Sequence, residues 1–288
     1  MAKEIITVIG STGNIGHELI NLLSTSGKSV RAVLRNFSQA RPLPGVTWLQ
    51  ADVSDESILD ATLAGTDKLF ILTGNKPGFG KTQINVIRAA ERLGVKHIVK
   101  LSALGASSRT QSPLAYEHWQ TEQALQQSTL SWTILRPHVF MQNWLGEVAQ
   151  TVKADGAIYA AIGDGKVPFI DARDIAAVAA QALINSGEHS GKTYVLTGDE
   201  AIGYSTLAQA ISSATGKEVV YKSLSMDEMR TRMEQQGISS KMIDSYLALA
   251  AYQKAGGATE RVSTSVREIL KRPALTVQDF ALKYKDMF

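Results

Sequence analysis

The stretch "ITVIGSTGNIGHELINLL", which begins at Ile6, constrains this chain more than any other. An apolar run ends at Gly10. Gly13 and Gly16 follow at equal spacing, and an apolar pattern at helical intervals (Ile15, Leu19, Leu22, Leu23) starts before the glycines finish. A strand, a glycine turn and a helix in that order set uncapped helix amides, and the positive end of a helix dipole, where a phosphate can rest. Gly10 lets the chain leave the strand sharply, Gly13 leaves room for a pyrophosphate against the backbone, and Gly16 lets the helix pack close to the strand. The hydroxyls of Ser11 and Thr12 are further candidate donors. The spacing is GxxGxxG, because position 12 is Thr and not Gly. Three glycines alone make only a flexible turn; it is their place after the first strand and at the head of an amphipathic helix that argues for a dinucleotide.

The same alternation continues through the first half. Strands are predicted at Ile5 to Ile9, Ser29 to Leu34, Thr47 to Gln50, Lys68 to Leu72, His97 to Leu101 and Trp132 to Leu135, with helical segments between them, one around Ile84 and Ile87 ending at Gly94 and one from Tyr116 to Gln127. Several of these strands are apolar throughout, as strands covered by helices on both faces are. The expected fold is therefore α/β, a doubly wound parallel sheet of Rossmann type with a smaller, mainly helical C-terminal lobe. The expected division is 1–150 for the nucleotide-binding part and 151–288 for the helical lobe, with the run at 192–198 returning to the sheet.

The end of the second strand sets the cofactor preference. NAD-binding units carry an Asp or Glu there for the ribose 2′-hydroxyl. This chain has Arg35 and no acid close by, and a guanidinium pairs with a 2′-phosphate through forked, charge-assisted bonds. The expectation is NADP(H); a solvated surface Arg is the alternative. Asp52 and Val53 follow the third strand, where an adenine edge would lie, although Asp52 could instead cap the next helix. Thr73, Gly74 and Asn75 form a small polar turn at the carboxyl edge of the fourth strand.

Composition removes other classes. There is no cysteine, which excludes disulfides and thiolate chemistry, and the five histidines lack metal-site spacing, so no metal is expected. A net charge of +3, with Lys and Arg scattered, argues against a nucleic-acid surface. No apolar run reaches the roughly 18 residues that a membrane span needs, and the N-terminus reads as a mature cytoplasmic start. Asp171 and Asp174 read as helix-capping acids and "GDGK" at Gly163 to Lys166 as a turn.

Taken together, "VIGSTGNIG", "AVLRN", "GVKHIVKLSALGA", "LRPHVFMQNWL" and "FIDARDIAAVAAQAL" resemble the NmrA-like branch of the atypical short-chain dehydrogenases/reductases, and within it the bacterial NAD(P)H-dependent quinone, triphenylmethane and azo-dye reductases. The resemblance covers the chain to about residue 200 and weakens beyond it. It implies NADP(H) held at the turn Ser11, Thr12, Gly13, Asn14, Ile15 and Gly16, at Arg35, Asp52 and Val53, and at Thr73, Gly74 and Asn75. It also implies a nicotinamide-side segment at Phe140, Met141, Gln142 and Asn143, with Ser102 at the usual serine position after the fifth strand. His118 and Glu122 match a Lys and a Glu found four positions apart on the active-site helix of the branch.

The Tyr-x-x-x-Lys pair of typical short-chain dehydrogenases is absent, since Tyr116 is followed four positions on by Gln120. Chemistry that needs a strong proton handler is therefore disfavoured, whereas hydride transfer to an electron-poor quinone, dye or other small aromatic acceptor is not. Catalysis would rest chiefly on positioning, with His118 as candidate proton donor and Phe79, Phe140, Met141, Trp144 and the tail methionines as candidate acceptor walls, each of which could equally be core. A homodimer is compatible with the sequence. The alternative from another class is a non-enzymic NADP(H)-binding redox sensor that acts through a protein partner.

Overall fold

A computed structural model describes residues 3–288. The chain forms two compact units. The first takes the chain up to His138, together with Ala172–Leu196 and Ser265–Arg272; the second holds Val139–Asp171, Thr197–Thr264 and Pro273–Phe288. The units are thus interleaved in sequence: besides the strand near residue 192, whose return was expected, the residues from Ala172 up to that strand and Ser265–Arg272 also belong to the first unit. The strand and helix that follow residue 171 return to the first unit.

Seven strands form the sheet of the first unit: β1 (Ile5–Ile9), β2 (Ser29–Leu34), β3 (Val46–Gln50), β4 (Lys68–Ile71), β5 (His97–Leu101), β6 (Ser131–Pro137) and β8 (Lys192–Leu196). Their order is β3-β2-β1-β4-β5-β6-β8, and every adjacent pair is parallel. Strand order reverses between β1 and β4, the switch point outside which ligands bind in doubly wound sheets. Helix α1 (Asn14–Ser24) packs on α6 (Ala172–Ile184). Helix α2 (Leu59–Leu63) packs on α3 (Phe79–Arg92), which packs on α4 (Pro113–Gln127). Residues of β1, β4, β5 and β6 (Ile9, Leu69, Ile98, Ile134) meet Leu59, Val86, Ile87 and Leu125 of these helices in one apolar core. Ser112 opens α4 as its cap, its hydroxyl accepting from the Ala115 amide, with Pro113 in the first turn, where a missing N–H costs nothing.

The second unit is mainly helical, as expected, but it also carries a short parallel pair, β7 (Ala157–Ala160) with β9 (Val220–Ser223). These four-residue strands give too little periodicity to be read from sequence. Trp144, Phe169 and Phe280 pack ring against ring in its core, and Met229 and Met233 fill a second cluster with Ile243 and Leu247. No helix among the described residues is long and apolar enough to cross a membrane.

Candidate functional site

A cleft of about 580 Å³ opens at the carboxyl ends of β1, β2 and β4. Of the residues picked from sequence it brings together Gly10, Thr12, Gly13, Arg35, Asp52, Val53, Thr73 and Gly74. Lys76, Phe79 and Thr82 also line it; of these only Phe79 was singled out from sequence, as an acceptor wall.

The glycine turn shows which glycines the fold itself demands. Gly10 has φ +84°, and a side chain there would meet the Leu72 carbonyl oxygen at 2.3 Å. A Cβ on Gly16 would lie 2.0 Å from the Gly10 carbonyl oxygen. Gly13 is different: its backbone is extended (φ −79°, ψ 169°), and a Cβ would touch only the Gly10 oxygen, at an ordinary 3.6 Å. Nothing inside the protein requires glycine there. The space a Cβ would fill belongs to the cleft, which is where a pyrophosphate would press on the backbone.

The helix ends around the cleft are equally selective. Gly13 caps α1 without any side-chain hydrogen bond, and no acid stands in the first turn, so its leading amides face no carboxylate. At α3 the Glu117 carboxylate, reaching over from α4, accepts from the amides of Gly78 (2.8 Å) and Gly80 (2.7 Å). The N-terminus of α3 is therefore already neutralised, and that of α1 is open to an anion. The donor set fits a dinucleotide phosphate.

Other positions hold surprises. The Ser11 hydroxyl, expected as a ligand donor, is buried and donates to the Val33 carbonyl at 2.5 Å, so it ties the turn to β2 and leaves only its backbone for a ligand. Ile15 and Gly16 are buried in the fold, while Asn14 is exposed. Asp52 accepts from the hydroxyl and amide of Ser54, which hold its pKa below the usual carboxylate range, helped by the Arg35 charge. The capping of the next turn falls to Asp55, whose carboxylate accepts from Ser57. Thr73 accepts from the Gln83 amide at 2.8 Å, which leaves its own hydroxyl proton free to donate.

Beyond Phe79 the first unit holds a buried polar cluster. Lys100 on β5 and Ser102, just past its end, stand two residues apart; on α4, His118 and Glu122 stand four apart on one face. Register pairs Leu101 with Leu135, which sets Arg136 of β6 beside Ser102. Glu122, fully buried, accepts the Ser102 hydroxyl proton at 2.5 Å and is held by both Arg136 nitrogens facing it. Ser102 thus has its proton committed to Glu122 and offers no donor to a ligand. Lys100, also fully buried, donates to the Leu101 carbonyl (3.1 Å) and lies 3.2 Å from Nδ1 of His118, whose ring packs on Phe79 at 4.6 Å between centroids. Burial, followed by the Lys100 charge, pushes the His118 pKa down to about 3. Both causes favour a neutral imidazole at pH 7 over an imidazolium acid.

Lys100 and Arg136 were not singled out from sequence. The signal was present: a Lys in "HIVKL" and an Arg in "TILRP" interrupt strands otherwise reading as buried, and a buried charge demands a partner. Glu122→Gln is expected to lower unfolding free energy by about 1–2 kcal/mol, less than for a sealed ion pair because water reaches the Arg136 guanidinium; urea unfolding measures it.

The nicotinamide-side segment expected at 140–143 lies in the second unit. Met141 and Trp144 are core there, Gln142 is buried and donates to Asp171 at 2.9 Å, and Asn143 is exposed. Asp174, expected as a cap, sits in the first turn of α6 and pairs with Arg272 at 2.7 Å.

A parallel sheet with this switch-point cleft and an open glycine-turn helix defines a dinucleotide-binding Rossmann protein. The chain belongs to the NmrA-like family, whose model matches residues 2–281. It is 35% identical to an NAD(P)H azoreductase of Xenophilus azovorans, over 98% of this chain and 99% of that protein. Among solved structures, the NADPH complex of an Escherichia coli quinone oxidoreductase superposes with a TM-score of 0.83 at 31% identity, covering 96% of this chain and 98% of that one. The NADP(H) complex of a Citrobacter sp. triphenylmethane reductase gives 0.84 at 25% identity, covering 98% and 100%.

Proposed function

We propose that this protein is an NADPH-dependent reductase that passes hydride to an electron-poor acceptor such as a quinone or an azo or triphenylmethane dye. The observation that carries the reading is Gly13, a glycine without an internal reason, at the mouth of an uncapped helix in the same cleft as Arg35. Relatives that share nearly the whole chain are reductases of such acceptors. NADPH, when bound, supplies the hydride.

The chain's own residues bind and orient. The α1 amides and the turn backbone take the pyrophosphate, and Arg35, with Lys76 across the cleft, takes the 2′-phosphate. Asp52 accepts from the adenine edge with the carboxylate oxygen that Ser54 leaves open. Thr73 donates at the carboxyl end of β4. Glu117 fixes the start of α3, and through it Phe79 against His118. His118 Nε2 has no protein hydrogen-bond partner among the described residues and is not a sealed atom, so a neutral Nε2–H is available to the oxygen of a reduced acceptor. No Tyr-Lys pair is needed, because the acceptor is already electrophilic and positioning supplies about 7–11 kcal/mol of a barrier.

Purified protein is expected to oxidise NADPH steadily with a simple benzoquinone, at a rate proportional to enzyme. His118→Ala slows this only severalfold, since water can also protonate a hydroquinone anion. Tight NADPH binding without turnover over a broad panel of quinones and dyes would replace the reductase with a redox sensor.

A further inference from the structure

The reaction consumes a proton, and a neutral imidazole that gives up its Nε2 proton must regain one. Resting on the reductase reading above, we propose that Lys100 is the proton source behind His118: its ammonium hands a proton to Nδ1 as the Nε2 proton passes to the acceptor oxygen. The geometry carries this. Nζ lies 3.2 Å from Nδ1, and Lys100 is sealed from solvent, so the imidazole is the group through which its charge reaches the surface. Lys100 Nζ also donates to the Leu101 carbonyl, which aims it. With the ammonium donating, Nδ1 is the acceptor, and the ring proton is fixed on Nε2, the nitrogen with no protein partner.

The step balances. The reduced nicotinamide loses a hydride and is oxidised to NADP⁺; the quinone gains that hydride and becomes a hydroquinone anion. Its oxygen then takes the Nε2 proton while the Lys100 N–H bond breaks toward Nδ1. The imidazole ends neutral, with the proton on Nδ1, and Lys100 ends as a neutral amine. The reverse shift restores both: Nε2 takes a proton from hydronium or buffer as the Nδ1 proton returns to the Lys100 amine.

The groups that set the affinity of Lys100 are on the two elements packed beside it. Burial pushes its pKa down to about 7; Glu122 on α4 opposes that, and Arg136 on β6 adds to it. His118 itself stays uncharged. Lys100 is therefore poised to release a proton near neutral pH, which an exposed lysine is not. It touches no acceptor and acts through His118.

The test compares wild type with Lys100→Met, which keeps the length of the side chain and removes its protons. With saturating NADPH and a benzoquinone, wild-type kcat is expected to fall as pH rises through about 7, the pH at which Lys100 loses its charge. Lys100→Met is expected to have a kcat severalfold lower at pH 6, a loss no larger than that of His118→Ala, with a flat profile from pH 6 to 8 and an unchanged KM for NADPH; the loss is below the usual range for proton transfer because water competes. A second readout needs no cofactor. The ¹⁵N shifts of the His118 ring in the protein alone should report the Nε2–H tautomer below pH 7 and a step near pH 7, and the step should vanish in Lys100→Met. A wild-type profile without the fall, a Met variant that keeps the profile, or a ring step that survives the substitution overturns the relay. Bound NADPH without quinone turnover in the wild type overturns the reductase reading instead, and the relay with it, leaving the ring shifts to report a buried pair alone.

Discussion

Arg35→Ala is expected to raise the Kd for NADPH by about 10- to 100-fold and to leave the Kd for NADH within about twofold, since a hydrogen bond to a charged group contributes about 1.5–3 kcal/mol. Arg35 follows the last residue of β2 at the rim of the cleft, and its guanidinium is hydrogen-bonded to no carboxylate among the described residues. A phosphate entering there displaces no existing ion pair, so the interaction free energy is not spent on breaking one. Asp52, which feels the Arg35 charge, is already satisfied on one oxygen by Ser54. Because the site is open to water, the gap between the two nucleotides should narrow between 0.1 and about 0.5 M salt, as the screening length shrinks. Lys76 on the same cleft should retain part of the preference, so the single variant does not erase it. Calorimetry with both nucleotides at two salt concentrations measures all of this. Equal losses for NADPH and NADH would mean that Arg35 stacks on adenine and has no part in reading the phosphate.

How much of this was legible beforehand follows from how far each feature reaches along the chain. β1, β2 and β5 were read with the bounds they have, because buried parallel strands are short, largely apolar runs between punctuating turns. The cleft was legible for the same reason: Gly10, Arg35, Asp52 and Thr73 each sit within two residues of a strand's end, and a parallel sheet brings all strand ends to one edge. What was not legible depends on side-chain direction. That Ser11 turns inward to Val33, or that Glu117 rather than a phosphate neutralises α3, is a matter of rotamers and of helices meeting across the sequence. The Lys100–His118 pair joins residues 18 apart on different elements, and only the β5 period of two set against the α4 period of about 3.6 brings them together. The return of the strand at 192–196 to the sheet was legible; what was hidden is that α6 and the residues Ser265–Arg272 belong with it, because helical periodicity does not say which unit a helix packs on.

Two alanine substitutions in one turn should separate what the fold needs from what the ligand needs. Gly16→Ala is expected to destabilise the protein by about 3 kcal/mol or more, at the upper end for overpacking, because its Cβ would lie 2.0 Å from the Gly10 carbonyl oxygen and 2.9 Å from the Ser11 Cα. Those atoms are backbone, in the same turn that Ser11 anchors to β2, and no rotamer change can relieve them. Either α1 shifts away from β1 or the turn breaks, and in both cases the amide cradle is lost with the stability. Gly13→Ala should do the opposite. Its φ and ψ suit alanine, and its Cβ has only an ordinary 3.6 Å contact, so the unliganded protein should unfold at the same denaturant concentration or a slightly higher one, by about 0.4–1 kcal/mol from the reduced freedom of the unfolded chain. The new methyl group nevertheless projects into the space given to the pyrophosphate. NADPH should then protect this variant from unfolding far less than it protects the wild type, as a raised Kd requires. Thermal unfolding of the wild type and both variants, with and without NADPH, reads the two effects separately. Should Gly13→Ala keep the full protection, the phosphate does not lie against this turn, and the cleft must hold its ligand by other atoms.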